Sequence, residues 1–322
     1  MFDDLQIGNI LVSTVRNAPV LMFAAMAGLF AERSGVIDLA LEGKMLASAF
    51  VSAAVAFATQ NPWYGIAAGM AVSTALALVQ GFVSITQKGD QLVGGIAINI
   101  AMSGLTVVLA VYFFGQGGQT PNLGDARLFD IVLPGTDAVA NVPFLGWFYG
   151  HLLGGHSVLV YAAFILIPIV HWVLYHSRFG LRLRACGDNP HAADAAGISV
   201  ERTRYMAMAI AGILCSFSGA YISIVQSGFF LRDMTAGAGY LALTAMVFGN
   251  WRPVYTALGC IMFGFFSAVQ IQIEGVDLPV VGRIPGSLIQ MIPYVVTVIV
   301  LAGLMAKSVA PKAIGKPFVK SR

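Results

Sequence analysis

A chain of 322 residues that is 58% apolar and only 10% charged, with a mean hydropathy of +0.81, has too few polar side chains to clothe a water-soluble globule. Its net charge of +3 is too small for a nucleic-acid-binding surface, and its three cysteines, Cys186, Cys215 and Cys260, lack the paired spacing of a metal or redox site. Apolar stretches of roughly 18 residues or more, the length that crosses a bilayer, recur along it, so the chain reads as an all-α, polytopic transmembrane helical bundle.

The first candidate span covers residues 9–30 and carries one charge, Arg16. Asp3 and Asp4 precede it where a signal peptide would have a basic head, so it is expected to stay in the mature chain. Next, Glu32, Arg33, Asp38, Glu42 and Lys44 crowd between apolar runs. Ionisable groups at membrane depth are costly unless they face protein or water, so this patch marks a working part. Glu42 lies at the start of the span 39–59, where it needs water or a partner; an ion pair with Arg33 or another helix is the competing account. Lys44, two positions on, does not share its helix face.

The spans 63–86 and 92–114 follow. Ser73, Gln80 and Ser84 share one face of the former; Gly95, Asn99, Ser103 and Thr106 share one face of the latter. Such faces either pack helices together or line a path. The segment 115–156 sets Asp125, Asp130 and Asp137 against Arg127 and reads as an extracytoplasmic loop. After the span 158–175 comes the segment 178–204, with Arg178, Arg182, Arg184, Arg202 and Arg204. The tail 307–322 carries Lys307, Lys312, Lys316, Lys320 and Arg322 without an acid. By the positive-inside bias both are cytoplasmic. Within the loop, Asn189 through Gly197 predicts a short helix with Asn189 as its cap, Pro190 at its first position and Gly197 just past its end. It is too short to stand alone; its alanines fit a groove on another protein, the alternative being a solvated loop that orients the spans.

The span 205–229 places Gly212, Ser216, Gly219, Ser223 and Gln226 on one face. A charged, glycine-rich break then precedes a short apolar stretch, 239–249, and the spans 254–273 and 288–305. With the tail cytoplasmic, the short stretch must count as an inward crossing or enter and pass its chain to the span 254–273 at depth, which makes it a broken helix covered by protein or a cavity. Long span, break and apolar stretch also occur in that order at the start of the chain, and with an odd number of crossings between them the two units would be inverted repeats, a transporter pattern.

Three stretches carry a family resemblance. Glu32-Arg33-Ser34-Gly35-Val36-Ile37-Asp38-Leu39-Ala40-Leu41-Glu42-Gly43 resembles E-x-x-G-V-x-N-L-x-x-E-G; Arg184 through Gly197 resembles R-A-x-G-x-N-P-x-A-A-x-x-A-G; and Gly239 through Pro253 resembles G-Y-x-A-L-A-x-x-x-F-G-x-W-N-P. These are signatures of the permease subunits of bacterial ATP-binding-cassette importers, in the branch serving ribose, nucleosides and branched-chain amino acids, and they look nearest to the nucleoside type. Asp38 and Arg252 stand where that pattern usually has Asn.

The resemblance implies one permease domain over residues 1–322 with the type II importer fold, in the bacterial cytoplasmic membrane. It implies a cytoplasmic ATPase docked on Gly187, Asn189, Pro190, Ala193, Ala196 and Gly197, an extracytoplasmic substrate-binding protein, and a second permease copy or paralogue. The chain has no GxxxxGK[ST] phosphate loop, so ATP hydrolysis would fall to another subunit. The candidate substrate path is Glu42, Gln80, Asn99, Ser103, Thr106, Ser216, Ser223 and Gln226. No catalytic residue, metal, cofactor or nucleic-acid partner is expected. The rival reading is an ion-coupled secondary transporter or channel using Glu42 and Asp38.

Overall fold

The computed structural model describes residues 4–131, 148–273 and 309–320, with isolated positions 277–278, 282–283, 291, 295 and 298. Its helices are α1 (Asp4–Arg33), α2 (Leu41–Thr59), α3 (Pro62–Gly81), α4 (Gln91–Phe114), α5 (Val158–His176), α6 (Arg178–Asp188), α7 (Pro190–Ala195), α8 (Val200–Ala220), α9 (Ala238–Phe248) and α10 (Pro253–Ile273). Local chemistry sets many of the ends. The Asn61 side chain accepts from the Trp63 amide ahead of α3, and Asp90 accepts from the Leu92 and Val93 amides at the start of α4. Wider π-helical turns, Phe82–Thr86 and Tyr221–Ser227, prolong α3 and α8.

Seven of the described helices are long and apolar enough to cross a membrane, and α9 is a shorter apolar helix. They match seven of the expected spans and the half-span; the span 288–305 lies outside the described residues except at isolated positions. The segment 178–204 departs from a plain loop. Ser199 accepts from the Arg202 amide and so starts α8 at Val200, which puts Arg202 and Arg204 on the helix; Arg204 is buried among backbone carbonyls.

The packing shows two corresponding units. α1 and α8 pack on each other; α1 also packs on α10 and α9, and α8 correspondingly packs on α3 and α2. The pairs α2–α3 and α9–α10 complete the correspondence. At one end of the bundle, residues 309–320 lie against α6, α7 and the start of α8: the Ala313 amide donates to the Gly187 carbonyl, and Phe318 packs with Cys186, Ala193 and Val200. At the other end, residues 119–127 meet the chain leaving α8, through Thr120 N to Phe230 O and Leu123 N to Gly228 O. There the short strands β1 (Asp130–Ile131) and β2 (His156–Ser157) pair antiparallel.

Candidate translocation path and coupling surface

The backbone is non-helical between α1 and α2, and such a break is tolerable at membrane depth only if its polar groups find partners. Three amide side chains supply them. Gln91 Oε1 accepts from the Ile37 amide at 2.7 Å, and Gln80 Nε2 donates to the Ile37 carbonyl at 3.2 Å. Asn99 Nδ2 donates to the Leu39 carbonyl at 2.8 Å and to the Tyr240 hydroxyl at 2.9 Å, while its Oδ1 accepts from the Gly43 amide at 2.8 Å. Gln80 and Asn99, read as path residues, therefore first of all secure the break. Asn99 also borders a cleft.

The charges of the break are individually matched. Lys44 pairs with Asp38, both fully buried, and reaches Gln80 Oε1 at 3.4 Å. Glu42 does not pair with Arg33. Its Oε1 accepts from the Gly237 amide at 2.8 Å and its Oε2 from the Gly239 amide at 2.6 Å, so it caps the N-terminus of α9. A carboxylate there meets unpaired N–H groups and the positive end of the helix dipole. Arg33 instead donates to the Trp251 carbonyl at 2.7 and 2.9 Å, and Glu32 accepts from Trp251 Nε1 at 2.6 Å. The first signature stretch thus grips the third at Trp251 and at the start of α9.

Beside Glu42 opens a cleft of about 340 Å³, lined by Asn99, Ser103, Asp233, Thr235, Gly237 and Tyr240 among others. Ser103, at the middle of the 24-residue α4, donates to Asp233 Oδ1 at 2.8 Å. Asp233 also takes Arg232 at 3.2 Å, and these side chains remain 50% and 66% exposed. In the sequence this stretch reads only as a charged, glycine-rich break, although Arg232 and Asp233, like residues 32–44, are charges between apolar runs. Across the Thr235–Ala236 backbone lies a second cavity of about 540 Å³, and a third of about 360 Å³ shares Asn17, Gln226 and Ile271 with it and extends to Arg127 and His156. Gln226 borders both and donates to the Arg16 carbonyl at 3.1 Å.

The remaining candidates face neighbouring helices. Ser216 and Ser223 are fully buried and donate to carbonyls of their own helix, Ile213 and Gly219. A Cβ at Gly219 would lie 2.2 Å from the Met45 carbonyl oxygen, and one at Gly212 2.6 Å from Thr74 Cα, so this stripe is where α8 presses on α2 and α3. Thr106 is buried and donates to the Met102 carbonyl.

At the basic end the predicted short helix forms as α7: Asn189 Oδ1 accepts from the Ala192 amide at 3.1 Å, and Gly197 turns out at φ +80°. Its exposed face consists of His191, Ala192, Ala195 and Ala196. Pro190 and Ala193 are buried, so Ala193 supports α7 from beneath. Gly187 is buried too, where a Cβ would meet the Arg33 carbonyl oxygen at 2.2 Å. Burial pushes the Cys186 thiol up from its ordinary pKa.

Residues 10–301 match the family model described as "Branched-chain amino acid transport system / permease component". The chain belongs to this family of permease components. The permease is 32% identical over 308 residues to the nucleoside ABC transporter permease protein NupC of Lactococcus lactis subsp. cremoris, covering 94% of each chain. It is 32% identical to the guanosine ABC transporter permease protein NupQ of Bacillus subtilis, covering 99% of each. More distantly, it is 24% identical to the ribose import permease protein RbsC of Escherichia coli, over 72% of this chain and 68% of the relative. With its run of membrane-length helices, the permease is a multi-pass membrane protein.

Proposed function

We propose that this chain is the membrane permease of an ATP-binding-cassette importer that carries a nucleoside or related sugar inward by alternating access. It is a conduit and not a catalyst. ATP is hydrolysed by a separate cytoplasmic subunit docked on the exposed face of α7, an extracytoplasmic binding protein delivers the substrate, and a second permease chain completes the pore. The basic end, with α6, α7 and the C-terminal segment, is the cytoplasmic one. The nucleoside-type relatives support the substrate class.

One observation carries the path: Asp233, half-exposed, accepts from Ser103 at the middle of α4, and the exposed Arg232 lies beside it. A charge there facing lipid costs roughly 3 kcal/mol or more. Their surface therefore faces water, and the path runs along the cleft of Glu42, Asn99, Ser103, Asp233 and Tyr240. Thr106, Ser216 and Ser223 support its walls, and Gln226 lies in the cavities toward the extracytoplasmic end. The ion-coupled reading loses its groups, because Asp38 is held by Lys44 and Glu42 by two backbone amides.

The test is uptake by vesicles. The permease with its ATPase and binding protein should accumulate a labelled nucleoside on ATP addition, unaffected by collapse of proton and sodium gradients, and the chain alone should not. Gradient-driven uptake by the chain alone would refute the reading.

A further inference from the structure

We propose that the C-terminal segment 309–320 is a standing brace for α7, and that Phe318 and Arg204 are the positioning residues that make α7 and the α1–α2 break move as one body. The proposal rests on the reading of α7 as the ATPase-docking element.

α7 has six residues, well short of the roughly 12–15 that an isolated helix needs to be even marginal in water, so its shape must come from what it packs on. Beneath it lie Cys186 of α6 and Val200 of α8, and the remaining side is closed by Phe318, 6% exposed, whose ring centroid is 5.3 Å from that of His191. A residue more than 120 positions away in sequence thus completes the floor of α7.

The same segment reaches the break. The Ala313 amide donates to the Gly187 carbonyl at 2.9 Å, at the end of α6, and the Gly315 amide to the Gly35 carbonyl at 3.1 Å. Arg204, 1% exposed, bridges the two: its Nε donates to the Ser34 carbonyl at 3.1 Å and its Nη1 to the Lys316 carbonyl at 3.4 Å. There is no slack at this junction. Gly35 and Gly315 sit at φ +93° and +72°; a Cβ on the former would come within 2.8 Å of Arg204 Nη2, and one on the latter within 2.8 Å of Ile37 Cδ1. A displacement of α7 is therefore passed directly to residues 34–37, and from there to Asn99, Glu42 and the cleft.

The experiment uses the permease reconstituted with its ATPase and binding protein, and reads substrate imported per ATP hydrolysed, ATPase binding, melting temperature, and maleimide labelling of Cys186. Phe318→Ala, Arg204→Gln and a chain ending at residue 308 should each lower the import-to-hydrolysis ratio, by roughly tenfold for a coupling energy of ordinary size. The melting temperature of Phe318→Ala should fall only modestly, because the cluster it leaves is small and lies at one end of the bundle, and Phe318→Leu should retain coupling. Cys186, buried in the parent, should become labelled in Phe318→Ala and not in a Phe318→Ala, Cys186→Ser control. Unchanged coupling in Phe318→Ala and the shortened chain, while Ala196→Glu abolishes ATPase binding, would overturn the brace and leave the docking reading intact. Full ATPase binding by Ala196→Glu would overturn both.

Discussion

Glu42 Oε2 accepts a 2.6 Å hydrogen bond from the amide of Gly239, 197 positions away, and so ties the first turn of α2 to the first turn of α9. The two helices hold corresponding places in the two units, and this bond joins the units beside the cleft. Replacing Glu42 with Ala leaves the Gly237 and Gly239 amides unpaired. Each such loss costs about 1–3 kcal/mol when the group stays out of water. Glu42→Ala should lower the melting temperature of the purified permease and abolish uptake, with Glu42→Gln intermediate because it keeps one acceptor. A melting curve unchanged in Glu42→Ala would remove the capping role.

The buried Asp38–Lys44 pair predicts strong coupling between its partners. Asp38→Asn, which restores the residue usual in the family pattern, strands a buried ammonium and should destabilise by roughly 3–5 kcal/mol. Asp38→Asn combined with Lys44→Met should recover most of that loss. A double-mutant cycle on thermal stability checks this, and additive single effects would mean that the pair is not energetically joined.

Asp233 tests the water-facing surface. In a background with Cys186, Cys215 and Cys260 replaced by Ser or Ala, a cysteine introduced by Ser103→Cys or Asp233→Cys should react with a charged, membrane-impermeant thiol reagent, and added substrate should slow the reaction. Asp233→Leu should reduce uptake with little change in stability, since the native side chain is half in solvent. No labelling at either position would mean that the face meets lipid.

For Asn99 the structure changes the expectation. Read from sequence as a path residue, its replacement by Leu would spare stability. It makes three hydrogen bonds, one to the Leu39 carbonyl of the break, one to the Gly43 amide in the first turn of α2 and one to Tyr240. At about 1 kcal/mol net per bond, Asn99→Leu should cost roughly 3 kcal/mol and impair uptake as well. Loss of uptake with an unshifted melting temperature would return Asn99 to a pure substrate contact.

Periodicity and end signals are local, and what depends on them was legible in the sequence: the membrane-length helices, the short broken helix after Gly237, α7 with its Asn189 cap, and the common side of the basic loop and tail. Two of the motif stretches, residues 32–43 and 239–253, also meet in the structure. What each residue does there depended on partners remote in sequence: Trp251 for Arg33, the α9 amides for Glu42, the floor of α7 for Phe318. In a soluble protein the apolar face of a helix marks its inside, but here lipid and core are equally apolar, so Ser216 and Ser223 looked as suited to a path as Ser103. Only the packed bundle distinguished them, because close approach at Gly212 and Gly219 leaves no space beside the first two, while a cleft remains beside the third.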